Sequence, residues 1–193
     1  MGIIINTTTK NCKIALWEIT ETLDELLQLS HVISTADLNT EKRKKEWIAS
    51  RLLLKEISPN TIISYNEFGA PKLNNGNYIS ISHSKGLVAV IISQQQVGID
   101  IEEISEKALR VSSKFISTNN LKFLTTEKAT LIWCCKEAVY KWCQKGNIDF
   151  IKDIIIQPFL LEEKGEIKAE FKNAMITLFY TKINSHFLVY VCN

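Results

Sequence analysis

The sequence predicts an α+β fold of two similar lobes, and three observations carry that prediction. Apolar runs with strand spacing and two long helical patterns recur as a strand, helix, helix, strand series on both sides of residue 95, although no residue-level repeat accompanies them. From residue 153 onward the chain alternates apolar and polar positions in short runs, the pattern of an antiparallel meander. A length of 193 residues with 46% hydrophobic and 23% charged side chains suits one globular unit, or two small lobes sharing a core.

Taken in order, Ile3 to Ile5 and Lys13 to Ile19 read as strands, and Thr20 caps a helix over Glu21 to Leu29. A second helix runs from Glu41 to Ile57 between the cap Thr40 and the stop Pro59, with Trp47, Ile48, Leu52 and Leu53 inward. Thr61 to Tyr65 is a strand, residues 66–71 a turn, and Tyr78 to Ile81 and Leu87 to Ser93 are strands flanking a tight turn at residues 82–86. After Gln94-Gln95-Gln96, Val97 to Glu102 is a strand and Ser105 to Ile116 a helix. Thr126 then caps a helix that ends near Gly146. Four strands close the chain, at Asp153 to Gln157, Glu166 to Phe171, Met175 to Thr181 and Phe187 to Cys192.

Composition excludes several classes. A formal net charge of +2 is too small for a polycation that coats nucleic acid, so basic work must come from local clusters. The five cysteines form no C-x-x-C and read as reduced core residues. The three histidines show no metal-ligand spacing, which argues against zinc. Residues 1–6 lack the basic start of a signal peptide, and no stretch approaches ~18 consecutive apolar residues, so a cytoplasmic location without membrane contact is expected.

Chemistry concentrates in four stretches. The helix containing Trp133-Cys134-Cys135-Lys136-Glu137-Ala138-Val139-Tyr140-Lys141-Trp142 is apolar nearly all round, yet it carries three charges. Glu137 and Lys141 stack one turn apart, and Lys136 lies on the stripe that should face a core. Either the charges serve a phosphate-and-metal site, or Glu137 and Lys141 form an ion pair of ~0.3 to 0.5 kcal/mol while Lys136 snorkels to water. In Val97-Gly98-Ile99-Asp100-Ile101-Glu102, alternation turns Gly98, Asp100 and Glu102 to one face, with the two carboxylates ~7 Å apart. A hard cation would offset their repulsion and Gly98 would leave room for a ligand; the alternative is a strand with two surface acids. Lys42-Arg43-Lys44-Lys45, with Arg51 two turns on, is a solvated face or an anion site. Ser82-His83-Ser84-Lys85-Gly86 is an anion cradle or a set of turn formers. A Ser/His nucleophile there is disfavoured, because no G-x-S-x-G elbow exists.

Jointly, the stretches at 97–102 and 133–141, preceded by Ser80-Ile81-Ser82-His83-Ser84 and by the basic helix at 42–51, resemble the signatures of the 4′-phosphopantetheinyl transferase superfamily. The resemblance is to the long-chain type that serves synthases and enterobactin-like assembly lines, and it spans roughly residues 40 to 150. It implies two α+β lobes related by a pseudo-two-fold, about 1–94 and 95–193, with the active site in the cleft between them, and a monomer. It implies Mg²⁺-dependent transfer of phosphopantetheine from coenzyme A to a serine of an apo acyl or peptidyl carrier protein, releasing adenosine 3′,5′-bisphosphate. By motif position, Asp100, Glu102 and Glu137 would hold Mg²⁺, with Glu137 and Lys141 catalytic. Lys136 and Lys141 would hold phosphate oxygens, Arg43 and Arg51 the 3′-phosphate, and Ser82 and His83 would lie beside the nucleotide. Two positions depart from the family pattern. Ser117-Thr118-Asn119-Asn120 stands where the family usually has a glutamate, and Gly69-Ala70-Pro71 replaces Gly-Lys-Pro, leaving Lys72 as the nearest lysine. Two other readings stay open: a coenzyme A-binding homologue without turnover, and a nucleic-acid-binding module using residues 42–55.

Overall fold

A computed structural model of the chain describes residues 2–9, 11–30, 38–117 and 124–192. Strands β1 (Ile3–Thr8), β2 (Cys12–Glu18), β3 (Ile63–Tyr65), β4 (Pro71–Leu73), β5 (Tyr78–Ser84) and β6 (Leu87–Ser93) form one sheet in the order β1-β2-β6-β5-β4-β3. Strands β7 (Val97–Glu103), β8 (Ile154–Ile156), β9 (Lys164–Phe171), β10 (Ala174–Ile183) and β11 (His186–Cys192) form the other, in the order β7-β11-β10-β9-β8. Each strand pair is antiparallel. With helices α1 (Leu23–Ser30), α2 (Glu41–Ile57), α3 (Glu106–Arg110) and α4 (Thr126–Cys143), the architecture is α+β. Among the described residues no helix is long and apolar enough to cross a membrane.

Local chemistry explains where the elements start. Thr40 caps α2 by accepting the Arg43 N–H. The first helix begins later than Thr20: Thr22 Oγ1 accepts from the Glu25 N–H while Glu25 Oε2 accepts from the Thr22 N–H, a reciprocal capping box. Thr125, rather than Thr126, caps α4 by accepting from the Lys128 N–H. The expected helix over 105–116 is instead the short α3 followed by a 3₁₀ turn at Ser112–Lys114. Pro71, placed in a turn by sequence, opens β4, where a missing N–H is tolerated. The strand β5 continues through Ser84, so Ser82 and His83 lie on a strand. The reversal is the two-residue turn Lys85-Gly86, both at positive φ.

The helix α2 packs on β2 and β6, burying Ile48, Ala49, Leu53 and Leu54 against Ala15, Trp17, Val88 and Val90. In the second half α4 buries Cys134, Cys135, Ala138 and Val139 against Ile167, Leu178, Val189 and Val191. A third core joins the sheets: Ile14, Leu16, Ala89 and Ile91 meet Val97, Ile99, Ile101 and Leu188. Along β5, which continues that face, the apolar side chains give way to hydroxyls. Ser80, Ser82 and Ser84 accept the backbone N–H groups of Ile99, Ile101 and Glu103 at 3.1, 3.3 and 3.1 Å. Because β7 is an edge strand whose other side pairs with β11, these hydroxyls do for its free edge what a neighbouring strand would do.

Gly98 is where β7 and α4 approach most closely. A Cβ there would sit 2.0 Å from the Ala138 carbonyl oxygen and 2.7 Å from the Trp142 nitrogen, so the space that the sequence left for a ligand is filled by the helix. Gly98→Ala must therefore push α4 off the sheet. Its urea midpoint should fall, by an amount equivalent to about 1 to 3 kcal/mol of stability or more, as overpacking against backbone does. An unchanged midpoint would show that the helix can shift freely.

Candidate active site between the sheets

The close approach at Gly98 sets the face of β7 that carries Asp100 and Glu102 against the face of α4 that carries Glu137 and Lys141. Asp100 is buried, 3% exposed. Its Oδ1 accepts from Lys141 Nζ at 2.6 Å and from Ser82 Oγ at 2.7 Å, and Lys141 also donates to Ser82 Oγ at 2.8 Å. The other oxygen, Oδ2, is buried and accepts no hydrogen bond. Glu102 accepts from the Trp133 indole N–H at 3.2 Å.

Electrostatics show that these groups act on one another. Burial, and then the charge of Asp100, raise the proton affinity of Glu102 above the carboxylate norm. Burial pushes the pKa of Glu137 up to about 7, with Asp100 adding repulsion and Lys141 relieving part of it. Burial alone would lower the Lys141 pKa, but the attraction of Asp100 and the hydrogen bond to it outweigh that and raise it. One buried carboxylate and two half-buried ones against a single lysine are short of positive charge.

Among the described residues, no group of three or more His, Cys, Asp or Glu side chains is drawn together in a geometry that could hold a metal ion. The chemistry of the donor set nevertheless fits one. All the donors are oxygens, the carboxylates repel one another, and a buried carboxylate oxygen is left without a partner, the conditions under which a hard divalent cation is favoured.

Away from this cluster, α2 and β5 build a basic cavity of about 370 Å³ lined by Arg43, Glu46, Trp47, Arg51, Tyr65 and His83, among others. The Arg51 guanidinium lies 3.0 Å from the centre of the Trp47 ring and donates to Ser50 Oγ and the Tyr65 hydroxyl. Buried Glu46 lies 3.4 Å from His83 Nδ1 and 3.7 Å from Lys42 Nζ. A smaller cavity of about 200 Å³, lined by Phe68, Ser80, Lys141 and Lys145, shares Gly69, Pro71 and Ile81 with the basic one. On the far side, a groove of about 900 Å³ begins at Glu102 and runs past Lys107, Trp133 and Phe150.

The structure thus gathers Arg43, Arg51 and His83 in one place, and Asp100, Glu102, Glu137, Lys141 and Ser82 in another. Adjacent residues on β5 point to opposite faces, which is why Ser82 and His83 part company. Lys136 joins neither group. It is 4% exposed, donates to the carbonyls of Phe150 and Ile154, and is held by burial at a pKa of about 8, so its ammonium anchors the segment after α4 rather than meeting a phosphate. Lys72 is exposed on β4 and lines none of these three cavities. Asn119 and Asn120 lie outside the described residues. Sequence reasoning did not single out Tyr65 or Lys145, and it assigned Trp47 to the core. An aromatic one turn before Arg51 was the available signal.

The sign of the Glu137 shift gives a test. Its folded pKa is about 7 against an ordinary 4.5, so between those values the folded protein keeps a proton that the unfolded chain releases. Stability of the metal-free protein should fall as pH rises through that window, and Glu137→Gln should flatten the fall. Melting curves in chelator across the window measure this; an equal slope in the variant would remove Glu137 from the buried cluster.

Comparison with known proteins adds a second line of information. Residues 96–186 match the 4′-phosphopantetheinyl transferase superfamily. The chain is 32% identical over 94 residues, 45% of its length, to the 4′-phosphopantetheinyl transferase gsp of Aneurinibacillus migulanus, and 30% identical over 112 residues, 52% of its length, to enterobactin synthase component D of Salmonella typhimurium. These matches cover 40% and 48% of the two relatives, so the chain spans less than half the length of each. The stretch that matches the 4′-phosphopantetheinyl transferase superfamily holds Asp100, Glu102, Glu137 and Lys141, so the likeness falls on the candidate site itself.

Proposed function

We propose that this protein transfers the 4′-phosphopantetheine group from coenzyme A to a serine hydroxyl of an acyl or peptidyl carrier protein, releasing adenosine 3′,5′-bisphosphate. The observation that carries the reading is the set of Asp100, Glu102, Glu137 and Lys141, built around buried Asp100, inside the stretch that matches the family. The cavities give the substrate a path. The basic cavity suits the 3′-phosphate and adenine, with Arg43, Arg51 and His83 as contacts. Arg51 has further N–H donors free to fork onto a phosphate beyond those used on Ser50 and Tyr65. In this reading the pyrophosphate occupies the smaller cavity beside Lys141 and Lys145, and the pantetheine arm and the carrier approach along the groove at Trp133.

In this reading Asp100, Glu102 and Glu137 hold a Mg²⁺ ion, which when bound neutralises the pyrophosphate and the charge that develops on the leaving group. The chain's own groups do the rest. Lys141 meets phosphate oxygens as a point charge already oriented by Asp100. Glu137 takes the proton from the serine hydroxyl on a carboxylate oxygen that the ion would leave free. The same reading takes the chain as a cytoplasmic monomer, consistent with its free cysteines.

The direct test is incubation with coenzyme A, Mg²⁺ and a panel of apo carrier proteins, with products weighed by mass spectrometry. A phosphopantetheine mass on at least one carrier is expected; coenzyme A binding without any such gain points to a homologue without turnover. A second test addresses Arg51. Arg51→Ala should weaken coenzyme A by roughly 1.5 to 3 kcal/mol, the worth of a charge-assisted contact, while leaving 3′-dephospho-coenzyme A nearly unchanged. Equal losses for both ligands would make Arg51 structural.

A further inference from the structure

The three serines of β5 make the same bond to the edge of β7, but only Ser82 also reaches side chains of the candidate site. A hydroxyl has one proton and two lone pairs. The Ser82 proton goes to Asp100 Oδ1 at 2.7 Å, and its lone pairs take the Lys141 ammonium at 2.8 Å and the Ile101 N–H at 3.3 Å. Every capacity is used, so none remains for a nucleotide.

The consequence falls on Asp100. Both of the hydrogen bonds its carboxylate accepts end on Oδ1, and both involve the Ser82–Lys141 pair, which leaves Oδ2 buried without a partner. Without the Ser82 hydroxyl the Oδ1 side of the carboxylate is held by Lys141 alone, whose long, rotatable arm is free to straddle both oxygens. Ser82 itself cannot drift, because the Ile101 N–H pins it from the backbone of the strand that carries Asp100.

We infer that Ser82 is a positioning residue that fixes the Asp100 carboxylate with Oδ2 presented for a divalent cation and holds Lys141 to the other oxygen. This rests on the reading of Asp100 as a cation ligand given above. It replaces the nucleotide contact that the sequence suggested for Ser82 with a role in the cation site, exerted through its neighbours.

The test compares Ser82→Ala, Ser82→Thr and Ser84→Ala with the parent chain. Mn²⁺ binding is followed by electron paramagnetic resonance, and coenzyme A binding by calorimetry in chelator. Ser82→Ala should bind Mn²⁺ about 10-fold or more weakly, the loss typical when a partner that orients a ligand is removed. Its coenzyme A affinity in chelator should stay within about twofold of the parent, since the basic cavity is untouched and Lys141 keeps its charge and its bond to Asp100. In turnover, kcat should fall and be recovered at high Mn²⁺ with KM for coenzyme A unchanged. Ser82→Thr, which keeps the hydroxyl, should restore Mn²⁺ affinity. Ser84→Ala breaks an equivalent bond to β7 without touching Asp100, and should leave Mn²⁺ affinity alone. Loss of coenzyme A affinity with Mn²⁺ binding intact would make Ser82 a nucleotide contact. Equal Mn²⁺ losses in Ser82→Ala and Ser84→Ala would make it only a rung between the sheets. Either result overturns the inference while the parent still binds Mn²⁺ and coenzyme A; a parent that binds neither overturns the transferase reading as well. Should Ser82→Ala not fold, Ser82→Cys, a weaker donor of similar size, carries the same comparison and should show an intermediate Mn²⁺ affinity.

Discussion

The contact on which the arrangement depends is the crossing of α4 over β7 at Gly98, where backbone lies on backbone with no room for a side chain. A helix and a strand normally stand apart by the thickness of their side chains. Here the missing Cβ lets the helix sink until the Ala138 carbonyl and the Trp142 nitrogen lie against the strand. The short side chain of Asp100, two residues along, can then reach a lysine on the helix. Packing and electrostatics are thereby one problem: a shift of α4 outward acts on the Lys141 to Asp100 contact and on the aliphatic core together.

That depth has an electrostatic cost, and the fold meets only part of it. Lys141 offsets the charge of Asp100, and Trp133 gives Glu102 one hydrogen bond. Glu137 is left with desolvation and two carboxylate neighbours that raise its pKa against one lysine that lowers it. A sequence chosen for stability alone would fill such a place with apolar or paired groups, since isolated buried charge is unfavourable. Lys136 supplies the contrast on the same helix. It too is buried, but backbone carbonyls accept its protons, and it holds the chain in place. Neighbours in sequence thus divide into a satisfied structural charge and an unsatisfied one open to a ligand.

Much of this was legible from periodicity. Alternation alone put Gly98, Asp100 and Glu102 on one face of β7, and helical spacing alone set Lys141 one turn beyond Glu137. What failed to show were features fixed by long-range pairing. The strand β4 is three residues long and opens on proline, so it has no local pattern to read. The extension of β5 through Ser84 looked like a turn, because serine, histidine and glycine are turn formers and the edge of β7 that those hydroxyls satisfy is distant in sequence. Lys136 sits at a motif position, but its partners lie in a loop and a short strand whose placement only the folded chain decides.

The serines of β5 also explain how two sites of different character can share a strand. On one face Ser80, Ser82 and Ser84 serve the edge of β7; on the other Ile79, Ile81 and His83 serve α2 and the basic cavity. Had β5 ended in a turn at residue 82, a serine and a histidine next to each other would face one ligand together. Because it remains a strand, one residue step carries the chain from the basic cavity to the carboxylate cluster, and neither can move along β5 without the other. A substrate spanning both would therefore meet contacts whose spacing is set by strand geometry rather than by loop motion, which is how a rigid element holds separated contacts in register.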